Sequence, residues 1–160
     1  AEQDLAIDAY RTSLRIGVSV VGPRTNLANL LENRARRNGQ PVPDDVQRLR
    51  HDELVLFERD ISHLTSRVPL LDQAAIYFQY GIALYRNGQN VEAEKALEQA
   101  SKLAPQNSQY LIVVVELQHK LGYLEKARQG AERLVDKWPE NQEFRSLRES
   151  LKHKRPSENK

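Results

Sequence analysis

Residues 87–107 read NGQNVEAEKALEQASKLAPQN, and residues 121–141 read LGYLEKARQGAERLVDKWPEN. Gly88 answers to Gly122, Ala93 to Ala127, Pro105 to Pro139 and Asn107 to Asn141, every pair at one and the same interval. Glu92 meets Glu125 one place out of step. The interval suits a helix–turn–helix pair that returns at a fixed period. One such pair cannot bury both of its apolar stripes. Stacked copies share a continuous core, and a constant period keeps each interface alike.

The unit from Ala74 to Asn107 shows what the crossing of its two helices requires. Tyr77, Tyr80 and Leu84 are large, whereas Gly81 is small and is expected to face Ala93 and Ala100 of the second helix. Leu97 fills the space between them, and Pro105 ends the unit. Small side chains let two helix backbones approach, and bulky ones fill the gap beside them. This order of residues resembles the tetratricopeptide repeat family. The resemblance implies an all-α fold of antiparallel helix–turn–helix repeats stacked as an α–α superhelix, a solenoid.

The next frame, 108–141, keeps Leu111, Gly122, Ala127 and Pro139 but departs elsewhere. Val115 stands where the small crossing residue belongs, and Ala131 where a large one does. An exchange of volume between the two helices would reconcile them. Residues 142–154 open a further unit, with Phe144, Leu147 and Leu151 on one side and charges on the other, as a capping helix would. Upstream, LAIDAYRTSLRI within residues 1–20 resembles the second helix of a truncated repeat. Residues 21–70 resemble a divergent repeat with Leu27, Ala28 and Leu31 in register. Its turn carries an insertion around Gly39–Pro43, and its second helix is long, from about 44 to 66.

In all, about eight helices are expected, at 3–16, from Gly22-Pro23 to Asn38, at 44–66, 72–87, 90–103, 107–121, 124–137 and 140–154. They form one domain over 1–154, followed by a polar tail, RPSENK, at 155–160. YLIVVVEL at 110–117 is rich in β-formers, but its place in the repeat frame makes it helix. A chain opening in mid-repeat is expected to be a module of a larger protein.

Composition narrows the chemistry. With 39% hydrophobic and 29% charged residues the chain can build a core and stay in solution. No apolar run reaches the roughly 18 residues of a membrane span. The net charge of +2 is too near balance for a dedicated polyanion binder. There is no cysteine, which excludes disulfides, thiolate metal sites and thiol catalysis. Both a cytoplasmic and an exported location fit. His51, His63, His119 and His153 form no i,i+4 pair, and zinc needs several convergent ligands. No G-x-G arrangement offers a phosphate cradle, so no cofactor is expected. Glu92, Glu94 and Glu98 have the spacing of an exposed helical face, and KHKR at 152–155 that of a solvated helix end.

In the tetratricopeptide family the first helices of successive repeats line a concave groove. The resemblance places Asn29 and Asn33 there from the divergent repeat, and Phe78, Ile82, Tyr85 and Arg86 from the second. Gln109, Ile112, Glu116, His119 and Lys120 follow from the third. Tyr, Arg and amides beside apolar residues suit an extended or helical peptide. Some family members clamp a C-terminal carboxylate with Lys, Asn and Arg. Here Asn29 matches one such position, while Thr25, Phe78 and Ile112 occupy others, so no such clamp is expected.

The leading expectation is therefore a non-catalytic scaffold with a protein or peptide partner and no nucleic acid. Another reading is self-association, or packing on the rest of a larger, exported bacterial parent, through the first helix and Leu54–Leu56. In that case enzymatic or electron-transfer chemistry would lie upstream. A helical repeat that reads RNA is a third, disfavoured by the lack of a basic stripe.

Overall fold

A computed structural model describes residues 2–15 and 21–152. Among them are eight helices and no strand: α1 (Glu2–Arg15), α2 (Val21–Arg37), α3 (Asp44–Ser62), α4 (Leu70–Arg86), α5 (Asn90–Leu103), α6 (Ser108–Lys120), α7 (Leu124–Lys137) and α8 (Gln142–Lys152). YLIVVVEL lies within α6, as the repeat frame requires. The helices fall into two compact units, residues 1–65 and 66–160.

In the second unit each helix packs on the next, α4 on α5, α5 on α6, α6 on α7 and α7 on α8. Links of three residues, 87–89 and 121–123, force antiparallel neighbours. Both turns are built alike. Gly88 and Gly122 adopt φ of 76° and 81°, a conformation that costs a residue with a Cβ. The Gly88 and Gln89 N–H groups then donate to the carbonyls of Tyr85 and Leu84. Those of Gly122 and Tyr123 donate to His119 and Gln118. This double closure is the Schellman motif, which satisfies carbonyls the helix leaves open.

The repeated proline and asparagine have an equally local cause. Ala104 and Trp138 end α5 and α7, and each is followed by a Pro-x-Asn sequence that turns the chain. Asn107 then caps α6 by accepting from the Gln109 N–H. Asn141 caps α8 by accepting from Glu143 and Phe144. Such caps contribute about 1 kcal/mol each.

The helix crossings differ between the repeats. A Cβ built on Gly81 would lie 2.6 Å from Leu97 Cγ and 3.1 Å from the Leu97 backbone nitrogen. Leu97, rather than Ala93 or Ala100, is therefore the close partner of Gly81. In the following repeat a Cβ on Gly130 would lie 2.5 Å from Val115 Cγ2. The exchange of volume thus runs through Gly130, the residue beside Ala131. Val115, Ala127, Ala131 and Leu134 join Phe144 and Leu151 of α8 in one buried cluster. Trp138 meets Phe144 edge-on, with ring centroids 5.9 Å apart.

In the first unit α1 packs on α2 and α2 on α3. Ile7, Leu27, Ala28, Leu31 and Val46 form its core, with Tyr10, Leu14, Leu30 and Leu49 against it. The α2–α3 turn repeats the Schellman closure at Gly39 and spans six residues, 38–43, against three at 87–89 and at 121–123. Helix α3 ends at Ser62, short of the expected 66. The Ser62 hydroxyl and His63 Nδ1 both reach the Arg59 carbonyl at 2.7 Å, and His63 also caps the helix with its backbone N–H. These local bonds compete with continuation of the helix. Leu54, Leu56 and Phe57 are buried and Val55 is half-exposed, so Leu54–Leu56 is not an open apolar patch. The expected end of α1 at Gly17 and the tail at 155–160 lie outside the described residues.

Candidate functional site

Residues three or four apart share one side of a helix. On α4 that side carries Phe78, Ile82 and Tyr85, and on α6 it carries Tyr110, Val113, Leu117 and Lys120. The structure brings these two stripes together. Phe78 stacks on Tyr110 with centroids 4.6 Å apart and planes at 27°. One end of the face is closed by Lys120, whose Nζ lies 5.1 Å from the Tyr85 ring centroid. Next to that pair is a pocket of about 200 Å³ lined by Ile82, Tyr85, Leu97, Val113, Glu116, Leu117 and Lys120. Four aliphatic side chains and one ring make its walls; one anion and one cation accompany them. The volume falls below the roughly 300–1,000 Å³ typical of small-molecule and cofactor sites. It suits a side chain or two.

Of the expected groove residues, Ile82, Tyr85, Glu116 and Lys120 share this pocket. Phe78 belongs to the adjoining aromatic stack. Arg86 follows Tyr85 and is exposed, as is Gln109 in the first turn of α6. Ile112 is half-buried against the α6–α7–α8 cluster, and His119 is half-buried in the last turn of α6. In the first unit, Asn33 is exposed, whereas the side-chain oxygen of Asn29 accepts from Arg50 at 2.7 Å.

Sequence reasoning passed over Leu97, Tyr110, Val113 and Leu117. A signal existed: 110, 113, 117 and 120 are spaced three, four and three, a stripe in their own right. Carrying the family frame forward by one period hides it, because that frame equates Phe78 with Ile112, two places beyond the true stacking partner Tyr110.

Two buried polar clusters flank the apolar cores. Arg50 is 3% exposed and donates to Asn29, to both oxygens of Glu32 at 3.1 and 3.3 Å, and to Glu53 at 3.3 Å. Glu53, 2% exposed, also accepts from the Thr25 hydroxyl. Charges taken out of water need such compensation, and here the partners lie on α2 and α3 themselves.

The second cluster corrects the sequence reading of the α5 carboxylates. Glu92 is exposed, but Glu94 is 5% exposed and Glu98 half-buried. Glu94 accepts from Gln118 Nε2 at 2.9 Å and from Lys126 Nζ at 2.8 Å; Glu98 accepts from the same amide at 3.2 Å. The hydrogen bond from Lys126 to Glu94 raises the lysine above its ordinary range, against a smaller opposing effect of desolvation. Gln118 Oε1 is buried without a hydrogen-bond partner.

Among the described residues no group of three or more His, Asp or Glu is placed to hold a metal ion. No described helix is long and apolar enough to cross a membrane.

Comparison with known proteins agrees with this architecture. Residues 74–107 match the family model of the tetratricopeptide repeat. Two solved structures of MamA share the fold. One has 19% identity and a TM-score of 0.54, covering 94% of this chain and 77% of that one. The other has 17% identity and a TM-score of 0.53, covering 93% and 82%. At these identities the likeness speaks for the fold alone. No curated protein sequence matches the chain.

Proposed function

We propose that this tetratricopeptide-like chain is a non-catalytic interaction scaffold that takes a segment of a partner protein on the α4–α6 face. The observation that carries the reading is the pocket of about 200 Å³ shared by two successive repeats. An apolar anchor of the partner enters between Ile82, Val113 and Leu117, while Tyr85, Glu116 and Lys120 fix polar groups beside it. Arg86, Gln109 and His119 extend the polar margin, and the Phe78–Tyr110 stack continues the apolar surface. A few anchors in pockets, with polar groups around them, account for most of the affinity in such interfaces. The buried carboxylates Glu53 and Glu94 are engaged with Arg50 and Lys126, which supports binding rather than acid–base chemistry.

A random peptide library displayed on phage and selected against the chain tests this. Enriched peptides should lose binding to a variant carrying Tyr85→Ala, Glu116→Ala and Lys120→Ala while its helical circular dichroism is unchanged. Peptides that bind the variant as well as the parent place the site elsewhere.

A second reading has one observation in its favour. Leu5 on α1 is 71% exposed, and an apolar side chain of that size on an outer helix suits packing against another copy or a further segment of the parent chain. Light scattering on the isolated chain would show concentration-dependent growth in mass under the first of these.

A further inference from the structure

The tetrapeptide Arg-Asn-Gly-Gln occurs twice in the chain, at 37–40 and at 86–89, each time where a helix ends. We propose that the first copy is a site of spontaneous modification, the deamidation of Asn38, and that the fold protects Asn87 in the second. Identical neighbours give the two asparagines the same intrinsic chemistry, so a difference in rate comes from the structure around them.

The reaction consumes only water. The Gly39 nitrogen attacks Cγ of Asn38 and loses its proton to solvent, and the side-chain nitrogen leaves as ammonia. Hydrolysis then opens the five-membered imide. Cleavage at Cγ gives aspartate, and cleavage at the backbone carbonyl gives isoaspartate. Glycine favours the attack because no Cβ hinders the approach to its nitrogen.

For attack, that nitrogen must leave its hydrogen bond and the side chain must swing onto it. Both turns close in the same way. Gly39 and Gln40 donate to Arg36 and Ala35, and Gly88 and Gln89 donate to Tyr85 and Leu84. The side chains differ. Asn87 is half-buried, and its Nδ2 donates to the Ala83 carbonyl at 2.8 Å, which holds the amide on the last turn of α4. Asn38 is exposed, and its amide bonds no other described residue. The chain beyond differs too. Gln89 leads straight into α5, where its carbonyl accepts from Ala93, so opening that turn disturbs a helix. Gln40 is followed by Pro41, Val42 and Pro43, all exposed, before α3 begins. Local opening is cheapest where exposed backbone carries few contacts.

The product adds a negative charge to a cleft that Asn38 shares with Glu2, Asp4 and Arg34. Arg34 holds Asp4 there at 2.8 Å and so fastens α1 to α2. A carboxylate at position 38 competes for that guanidinium.

Peptide mapping by mass spectrometry during incubation at mildly alkaline pH tests this, with the chain in denaturing urea as reference. In urea both asparagines should convert at one rate. In the folded chain Asn38 should convert about tenfold faster than Asn87, the order of one retained hydrogen bond. Equal rates in the folded chain overturn the proposal, as does an Asn38 that stays intact while the urea sample converts. Hydrogen exchange on the Asn38→Asp variant tests the consequence. Amides of α1 should exchange up to about fivefold faster than in the parent, the order of one exposed ion pair. Unchanged exchange overturns the link to α1 and leaves the modification site standing.

Discussion

The repeat at 74–107 and the repeat at 108–141 share a second helix of 14 residues and one turn geometry, yet their crossings are filled in opposite ways. In the first, Gly81 of the leading helix admits Leu97 of the second. In the other, Val115 of the leading helix presses on Gly130 of the second. The position equivalent to Leu97, Ala131, is correspondingly small and fully buried. The crossing demands a large residue against a small one and is indifferent to which helix supplies which. Close packing conserves the sum of volumes at a contact before it conserves identities.

The largest effect should come from breaking that complementarity. Val115 is fully buried, and Val115→Gly would leave glycine opposite glycine. Loss of the side chain and of helix propensity together should cost about 3 kcal/mol. Urea denaturation followed by circular dichroism would measure it. Adding Ala131→Leu to that variant rebuilds the arrangement of the first repeat and should recover part of the loss. A Val115→Gly protein as stable as its parent would show that the two crossings are not equivalent.

What could be read in advance divides along the same line. The Schellman glycines, the Asn107 and Asn141 caps and the prolines before them act through neighbours in the chain, so their spacing alone places the helices. The exchange at Val115 was half legible. Its small and large members showed in the sequence, but the contact of Val115 with Gly130, beside Ala131, depends on how the helices rotate about their axes. The end of α3 was missed because two side chains, of Ser62 and His63, fold back onto one carbonyl. Four of the pocket residues lay in the expected groove positions, but Val113 and Leu117 arise from α6 facing α4, which a frame fixed on one ideal repeat does not convey. Least legible were the buried polar groups. Glu94 looks like its exposed neighbour Glu92 until Gln118 and Lys126, distant in sequence, are brought onto it.

Lys126 offers a subtler way to separate the repeats, since its counterpart one period earlier is the exposed Glu92. Its pKa is raised in the folded chain by the hydrogen bond to Glu94. A raised cationic group contributes stability in full below its unfolded pKa, about 10.4 for lysine, and loses that contribution as pH rises through the folded value. Lys126→Met should therefore lower the melting temperature at pH 8 and flatten its decline above the unfolded lysine pKa of about 10.4 relative to the parent. The ammonium is more than half exposed, so the effect should be modest and screened by salt. Glu92→Met should leave the alkaline limb unchanged. Equal alkaline behaviour of parent and Lys126→Met would mean that solvent, not Glu94, sets the lysine's charge.

The smallest change is expected where the repeats differ most in polarity. Gln118 occupies the position of Leu84, and both are 1% exposed. Gln118→Leu removes two hydrogen bonds to the carboxylates of Glu94 and Glu98, each worth about 1.5–3 kcal/mol net to a charged acceptor. It also removes an oxygen buried without a donor, a burden of about 1–3 kcal/mol, and adds apolar burial. Glu94 keeps Lys126 at 2.8 Å, so its charge is not stranded. These terms oppose one another, and the variant should stay within about 2 kcal/mol of the parent. A loss beyond about 3 kcal/mol would instead mean that the amide, and not the lysine, is what makes the buried carboxylate tolerable. The polar cluster would then be a second means of joining the two repeats, beside the exchange of volume at Val115 and Gly130, and one that the first repeat has no need of because Leu84 fills the same space.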